Sequence, residues 1–239
     1  MRSLSLNTFQ LRLMAIIFMF IDHYGAVIHP TEMSYRIVGR LAFPIFAYLL
    51  ANGYRHTRNK WKYLIRLSFC ALLSEVPFDL TFGQSYGLNW DHQNIFFTLA
   101  LGLTALMVYD KTRLQSSDVL VRDSQMIKEE KKLSLLGLIL VLAIGFLADL
   151  INTDYGMIGV VSIFIFYLLD QKQINIILTA ALLFVVYFSS YLQLYAIFAL
   201  LIISCYNDQP GPSNFFLKWF FYLFYPLHLL FLHLCEKLW

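Results

Sequence analysis

Two ionisable residues, Asp22 and His23, follow the apolar run Leu13–Ile21 in the first hydrophobic segment of the chain. Charged side chains are costly at membrane depth, so they normally face a protein interior or an aqueous cavity and have partners nearby. Neutral histidine is the side chain whose proton affinity suits general acid–base chemistry near neutral pH. The pair therefore predicts proton transfer or transport inside a membrane protein.

A cation shares one helical face with this histidine. Arg12 precedes His23 by eleven residues, which on an α-helix is about three turns plus 20°, with a rise of about 16.5 Å. One face of the first helix thus presents a guanidinium at a membrane edge and an imidazole deep in the bilayer. This geometry suits a long donor with an anionic head whose reactive end must reach the histidine.

Two carboxylates, Glu75 and Asp79, lie four residues apart in the third hydrophobic segment and share a helix face. Pro77 lies between them and removes one backbone hydrogen bond, so we expect the helix to open there. Further polar residues lie at a similar depth in other segments: Arg40, His92, Asn94, Asp149, Asp154 and His228. Because scattered core polar groups would not share one depth, we predict a single water-accessible cavity toward the external face.

The composition indicates an integral membrane protein. Of the residues, 59% are hydrophobic and only 14% are charged, with a mean hydropathy of +0.63, whereas soluble domains carry about a quarter charged residues. We identify nine hydrophobic segments, at about 9–29, 37–54, 62–80, 94–110, 134–151, 156–170, 174–188, 191–206 and 214–236. The chain is therefore predicted to be an all-α, polytopic helical bundle of about nine spans, forming a single domain over residues 1–239. Several segments between 156 and 206 are short for a span, and whether each crosses the membrane stays open.

The basic residues predict the orientation in the membrane. They are concentrated in the N-terminus and the even-numbered connections, above all in Arg55–Lys62 and in the long loop at about 111–133, whereas Arg36 is the one basic residue in the odd-numbered connections. Positively charged loops stay in the cytoplasm, so the N-terminus is predicted to be cytoplasmic. The first apolar run lacks a small-residue cleavage site and is predicted to be a retained span rather than a signal peptide.

Several stretches resemble the TraX family: Arg12–His23 in the first segment, Arg36–Tyr48 in the second, Ser74–Asp79 in the third, then Asn94–Leu99 and Tyr155-Gly156. TraX proteins are membrane acetylases related to the acyltransferase-3 superfamily, whose first-helix pattern of arginine, ten residues and histidine is similar to Arg12 and His23. The Pro-Leu-His stretch at 226–228 also resembles a feature of that superfamily's last helices. The resemblance is densest from Leu11 to Thr98.

The resemblance implies acetyl transfer from cytoplasmic acetyl-CoA to an amine or hydroxyl acceptor on the external side, across a bacterial cytoplasmic membrane. The acceptor would be a pilin-like peptide or a saccharide, and nucleic acid is not expected as a partner. His23 would be the general base, with Asp22 orienting the imidazole or serving a different partner such as Arg40. Asn94 would stabilise the oxyanion, and Glu75 and Asp79 would bind an acceptor ammonium or pair with Arg40. The donor phosphates would be held by Arg12 and the basic loop, with Arg40 as a second candidate.

Other interpretations stay open at this point. Asp22–His23 could be a structural pair, Arg12 a topology anchor, Arg40–Glu75 a buried salt bridge and His228 a core histidine. A proton-coupled transporter also requires intramembrane Asp, Glu, Arg and His, and a non-catalytic assembly protein requires no chemistry at all. No histidine, cysteine or carboxylate cluster has metal-ligand spacing, so no metal site is predicted.

Overall fold

The computed structural model describes residues 5–83, 91–121, 134–169, 176–188 and 190–238, which form helices joined by turns and loops, with two isolated β-bridges. The helices are α1 (Thr8–Ile28), α2 (Met33–Gly39), α3 (Ala42–His56), α4 (Lys60–Phe82), α5 (Ile95–Val121), α6 (Leu135–Leu150), α7 (Gly156–Leu168), α8 (Ile176–Tyr187), α9 (Tyr191–Leu194), α10 (Ala199–Ile203) and α11 (Phe215–Leu238), with a 3-10 turn at Tyr195–Phe198. The predicted all-α fold is confirmed.

Four helical stretches in the described residues are long and apolar enough to cross a membrane: Thr8–Ile28, Met33–His56, Ile95–Arg113 and Phe215–Leu238. The shorter apolar helices fall inside the remaining hydrophobic segments of the sequence, so the count of nine spans stays a prediction. Leucine, isoleucine and phenylalanine side chains of α6 point outward, as expected for a surface solvated by lipid.

One local difference from the sequence prediction concerns the end of α5. α5 continues to Val121, although residues from 111 onward were predicted to form a cytoplasmic loop. The stretch from Lys111 to Val121 contains no glycine or proline, so nothing in it stops the helix. The rest of that loop lies outside the described residues.

α3 is the central helix of the bundle and packs against α1, α5, α7 and α10. Its aromatic residues Tyr48 and Tyr54 are fully buried, and its small residues Ala47 and Ala51 allow neighbouring helices to approach closely. α4 remains one helix through Pro77, so the predicted opening beside the two carboxylates is not present.

Two loops at one end of the bundle are joined by backbone hydrogen bonds. Gln93 N–H donates to the carbonyl of Asn152, and Asp154 N–H donates to the carbonyl of Gln93, both at 2.9 Å. The chain then enters α7 through Gly156, whose φ of +47° suits glycine, and Asp149 accepts the Met157 N–H at 2.7 Å. These hydrogen bonds fix the positions of the residues that flank them, including His92 and Tyr155.

Candidate active site

A cavity of about 230 Å³ opens at this end of the bundle, between α1, α2, α3, α4 and α11. We call it the His23 cavity. Its polar walls are formed by Asp22, His23, Arg36, Arg40, His92, Asp154, Tyr155 and Tyr225, and the other lining side chains are mainly aromatic. Ionisable groups from five separate stretches of the chain are therefore brought together in one place.

The Asp22 carboxylate is paired with two arginines, Arg36 of α2 and Arg40 at the end of that helix. Arg40 Nη2 donates to both carboxylate oxygens, at 2.7 and 2.6 Å, and Arg36 Nη1 donates to Oδ2 at 2.7 Å. Arg36 and Arg40 are four residues apart, so their side chains leave the helix on the same face. The Asp22 and Arg40 side chains are both nearly inaccessible to solvent, and the cluster ties α1 to the start of α3.

The close approach of α1 and α2 at this point depends on Gly39. A Cβ atom on Gly39 would lie only 2.2 Å from Cβ of Asp22. The missing side chain therefore leaves room for the carboxylate between the two arginines.

His23 is hydrogen-bonded to His228 of α11, a residue 205 positions away in the sequence, through Nδ1 and Nε2 at 2.7 Å. The two ring planes differ by 4° and the ring centroids are 5.0 Å apart, which fits an in-plane N–H···N hydrogen bond. His228 Nδ1 in turn lies 2.8 Å from the carbonyl oxygen of Phe224.

These contacts determine the tautomers of the neutral pair. A carbonyl oxygen only accepts, so His228 Nδ1 carries a proton and donates it to Phe224. His228 Nε2 is then the acceptor, and His23 Nδ1 must donate to it. His23 Nε2 is left with its lone pair on the side of the ring away from His228, where the ring lines the His23 cavity. This is the nitrogen that a general base requires.

A second ion pair lies in the loops that line the His23 cavity. His92 Nε2 is 3.6 Å from Asp154 Oδ1, and both side chains are partly exposed. The neighbouring Asp154 carboxylate favours the protonated imidazole and raises the pKa of His92 above its usual value, against the opposing effect of burial. Beside them, the Tyr155 ring stacks on Phe43 at a centroid distance of 3.8 Å.

A larger cavity, of about 340 Å³, lies toward the opposite end of the bundle, and we call it the Arg12 cavity. Three cations, Arg12, Arg66 and Lys218, contribute to its walls, and Lys218 is close enough to both arginines to be repelled by them. Among the side chains that the structure describes, no carboxylate forms an ion pair with any of the three. Three converging cations without a countercharge are typical of an anion-binding site.

The two cavities adjoin. Both are lined by Met19, Phe46, Ile95 and Tyr225, so these four side chains separate the basic cluster from the imidazole of His23. Together the cavities follow α1 from Arg12 to His23.

Comparison with known proteins assigns the family. The TraX protein family matches residues 7–236, almost the whole chain. The chain belongs to the TraX family. It is also 35% identical, over 118 residues, to the probable fimbrial assembly protein FimC (serogroup H1) of Dichelobacter nodosus. That match covers 45% of this chain and 48% of the relative, so the chain spans about half of the relative's length. No solved structure matches the chain.

The structure of this TraX-family protein corrects the role predicted for Asp22 beside His23. Asp22 does not orient the imidazole, because neighbouring residues on an α-helix point about 100° apart. Its carboxylate faces Arg36 and Arg40, and the imidazole is oriented by His228 instead. The alternative partner Arg40 was the correct one.

Asn94, Glu75 and Asp79 are buried but do not line either cavity. The Asn94 amide donates to the carbonyl of Ala71, at 2.8 Å, and to Glu75 Oε2. Asn94 Oδ1 accepts the Phe96 N–H at 3.0 Å and caps α5. Both amide hydrogens are thus used inside the protein, so the predicted oxyanion donor cannot reach a substrate. Glu75 pairs with Asn94 and not with Arg40.

The two arginines predicted to hold the donor lie in different cavities. Arg12 lines the basic Arg12 cavity, whereas Arg40 is paired with Asp22 at the other end. In the basic loop, Arg55 donates to the carbonyls of Tyr167 and Leu169 at the end of α7, and Lys60 pairs with Asp110 at 3.2 Å. Arg55 therefore caps the end of α7, and Lys60 joins the start of α4 to α5.

Two important site residues of this TraX-family chain were not predicted, namely Arg66 and Tyr225. Arg66 lies within the third hydrophobic segment, where a lone arginine is as unusual as His23 is in the first, so the same argument could have identified it. No comparable signal marks Tyr225, because tyrosines are numerous in this chain and are enriched at membrane interfaces.

The His92–Asp154 pair predicts a pH-dependent contribution to stability. Because the folded state raises the pKa of His92, the contribution is complete below the ordinary histidine pKa and is lost as the pH rises through the raised value. We expect His92→Gln to lower the thermal stability in detergent at about pH 5 but not at about pH 9. Asp154→Asn is the matched control and should remove the same pH-dependent part. A His92→Gln deficit that is constant with pH would contradict the assignment.

Proposed function

We propose that this protein is a membrane-embedded acetyltransferase that transfers an acetyl group from acetyl-CoA to an amine or hydroxyl acceptor. The observation that carries the proposal is a pair of adjoining cavities. One holds three cations that form no ion pair with a described carboxylate, and the other holds an imidazole base whose tautomer is defined by its hydrogen bonds. The acetylase activity that the TraX resemblance implies requires both parts. A structural histidine pair would not require the basic cavity beside it.

The Arg12 cavity is the proposed donor site. The CoA head carries several phosphate groups, and Arg12, Arg66 and Lys218 offer the charge-assisted hydrogen bonds that phosphates favour. A slender pantetheine arm would follow α1 and bring the thioester to the four side chains shared by the two cavities. The cationic end is also the end where the basic connection between α3 and α4 lies, which the positive-inside rule places in the cytoplasm together with acetyl-CoA.

The His23 cavity is the proposed acceptor site. His23 Nε2 takes the proton of the acceptor amine or hydroxyl as that group attacks the thioester carbon. The Nδ1 hydrogen bond to His228 holds the ring in the tautomer that keeps Nε2 available, which is the orienting role of the third member of a catalytic triad. A pilin-like peptide is the acceptor that fits the fimbrial name of the relative.

The proposal is tested by a transfer assay on the purified protein in proteoliposomes. Radiolabelled acetyl-CoA is supplied with hydrophobic peptides that have a free N-terminal amine, and separately with saccharides. Each peptide is matched with a blank whose N-terminus is already acetylated. Label transfer to a free-amine peptide or to a saccharide supports the proposal, and the absence of transfer to every acceptor overturns it.

A non-catalytic role in fimbrial assembly is the second candidate, and the name of the relative favours it. The two candidates differ in their dependence on His23. An assembly factor with His23→Ala should still support fimbriation when it is inserted normally, whereas an acetyltransferase with this change should leave the product unmodified.

Removal of Arg66 should weaken donor binding without stopping chemistry. A hydrogen bond to a charged group contributes about 1.5–3 kcal/mol, so we expect Arg66→Ala to raise the KM for acetyl-CoA by roughly 10- to 100-fold, with kcat changed only a few-fold. Lys111→Ala is the matched control, because Lys111 is exposed and lines neither cavity. An unchanged KM with a reduced kcat would contradict the phosphate-binding role.

A further inference from the structure

The hydroxyl of Tyr225 is a buried polar group that has no role in the donor and acceptor sites proposed so far. Tyr225 is only 3% exposed, and its hydroxyl oxygen has no hydrogen-bond partner among the residues that the structure describes. A buried hydroxyl without a hydrogen-bond partner is unfavourable, because it has lost its bonds to water and gained none. Such a group in a folded protein calls for a physical reason, and a ligand is one such reason.

Tyr225 lies where the two cavities meet. Four side chains line both cavities, and among them Tyr225 is the one with a polar group. Its ring contacts His23 edge-on at a centroid distance of 5.8 Å, His228 at 5.6 Å and Phe96 at 5.3 Å. The ring is therefore held firmly where the donor and acceptor cavities meet, next to the proposed base.

The start of α5 lies on the same side. Ile95 and Tyr225 both line the two cavities. Ile95 is the first residue of a 27-residue helix, whose N-terminal end favours negative charge. Tyr225 and the N-terminus of α5 thus lie together beside the boundary between the two cavities.

We propose that the Tyr225 hydroxyl donates a hydrogen bond to the thioester oxygen of acetyl-CoA as negative charge develops on it. The inference rests on the proposed acetyl transfer and supplies the oxyanion donor that the sequence had placed at Asn94. Both amide hydrogens of Asn94 are donated to Ala71 and Glu75, whereas the Tyr225 hydroxyl has no partner in the described part of the chain.

Acetyl transfer by this arrangement involves only the donor, the acceptor and His23 as the proton carrier. The acceptor nitrogen or oxygen forms a bond to the thioester carbon and loses its proton to His23 Nε2, while the carbonyl π electrons move onto the oxygen that Tyr225 stabilises. The oxyanion then re-forms the carbonyl and the carbon–sulfur bond breaks. The CoA thiolate takes the proton from the His23 imidazolium and leaves as the free thiol, so no other reactant is needed.

The test is Tyr225→Phe, which removes the oxygen and keeps the ring contacts. Removal of one oxyanion donor lowers kcat by about 10²- to 10³-fold, so we expect that loss in the transfer assay, with the dissociation constant of acetyl-CoA changed less than about twofold. Tyr187→Phe is the control, because Tyr187 is also fully buried, accepts one hydrogen bond from Ser162, and lines neither cavity. Its activity should stay close to that of the wild type.

The outcomes separate this inference from the function on which it rests. An active wild type with an unchanged kcat in Tyr225→Phe overturns the oxyanion role and leaves the acetyltransferase proposal standing. A rise in the acetyl-CoA dissociation constant equal to the loss in kcat/KM also overturns it, because the hydroxyl would then bind the ground state. A wild type without transfer to any acceptor overturns both.

Discussion

His23→Ala is expected to abolish acetyl transfer while expression and membrane insertion stay normal. General base catalysis contributes about 10²- to 10⁴-fold to the rate, and alanine leaves no group that can take the acceptor proton. Initial rates in proteoliposomes measure the effect, at saturating acetyl-CoA. His29→Ala is the matched control, because His29 lies at the end of the same helix and outside both cavities. Normal turnover by the His23→Ala protein would remove the catalytic assignment.

His228 should act through His23 and not by itself. His228→Phe removes the acceptor for His23 Nδ1 and frees the imidazole to adopt the wrong tautomer, so we expect a smaller loss, on the order of 10- to 100-fold. Residues that act as one unit have non-additive effects. The double variant should therefore be no slower than His23→Ala alone, and a further loss in the double variant would show that the two histidines act independently.

Asp22→Ala is expected to cause the largest loss of stability. The substitution leaves the buried Arg40 guanidinium without its carboxylate, and removal of one partner of a buried ion pair costs about 3–5 kcal/mol. Thermal unfolding in detergent measures the loss. Glu236→Ala is the control, because Glu236 is an exposed acid on α11.

Replacement of both buried partners should restore much of this stability. A buried ion pair can be exchanged for apolar side chains at little net cost, so Asp22→Leu combined with Arg40→Met should be more stable than Asp22→Ala. Arg36, which is 28% exposed, can turn toward water. A fully stable but inactive Asp22→Ala protein would instead indicate that Asp22 takes part in catalysis, which is the first role that the sequence suggested.

Local sequence patterns predicted the parts of the site that depend on one helix. The unusual Asp22–His23 step and the spacing of Arg12 and His23 follow from burial cost and helical periodicity, and α1 is indeed one continuous helix through them. The helical pairing of Arg36 with Arg40 could have been read in the same way, because both lie on one turn of helix.

The partners between helices could not be predicted in this way. His23 and His228 are 205 residues apart, and the pairing of Asn94 with Glu75 depends on how α4 packs against α5. Arg40 was one of two roles considered for Asp22, and the sequence alone did not decide between them. The position of Tyr225 on the walls of both cavities likewise depends on how α11 packs against α1 and α4. The resemblance to the TraX family, now confirmed, identified the relevant stretches but not the contacts between them.

The central claim is that the donor enters through the Arg12 cavity and presents its thioester to His23 Nε2 at the side of Tyr225. An experimental structure with acetyl-CoA bound tests it most directly. We expect the CoA phosphates at Arg12, Arg66 and Lys218, and the thioester carbonyl oxygen about 2.7–3.1 Å from the Tyr225 hydroxyl. Phosphates bound elsewhere, or a thioester separated from His23 by the walls of the bundle, would contradict the account.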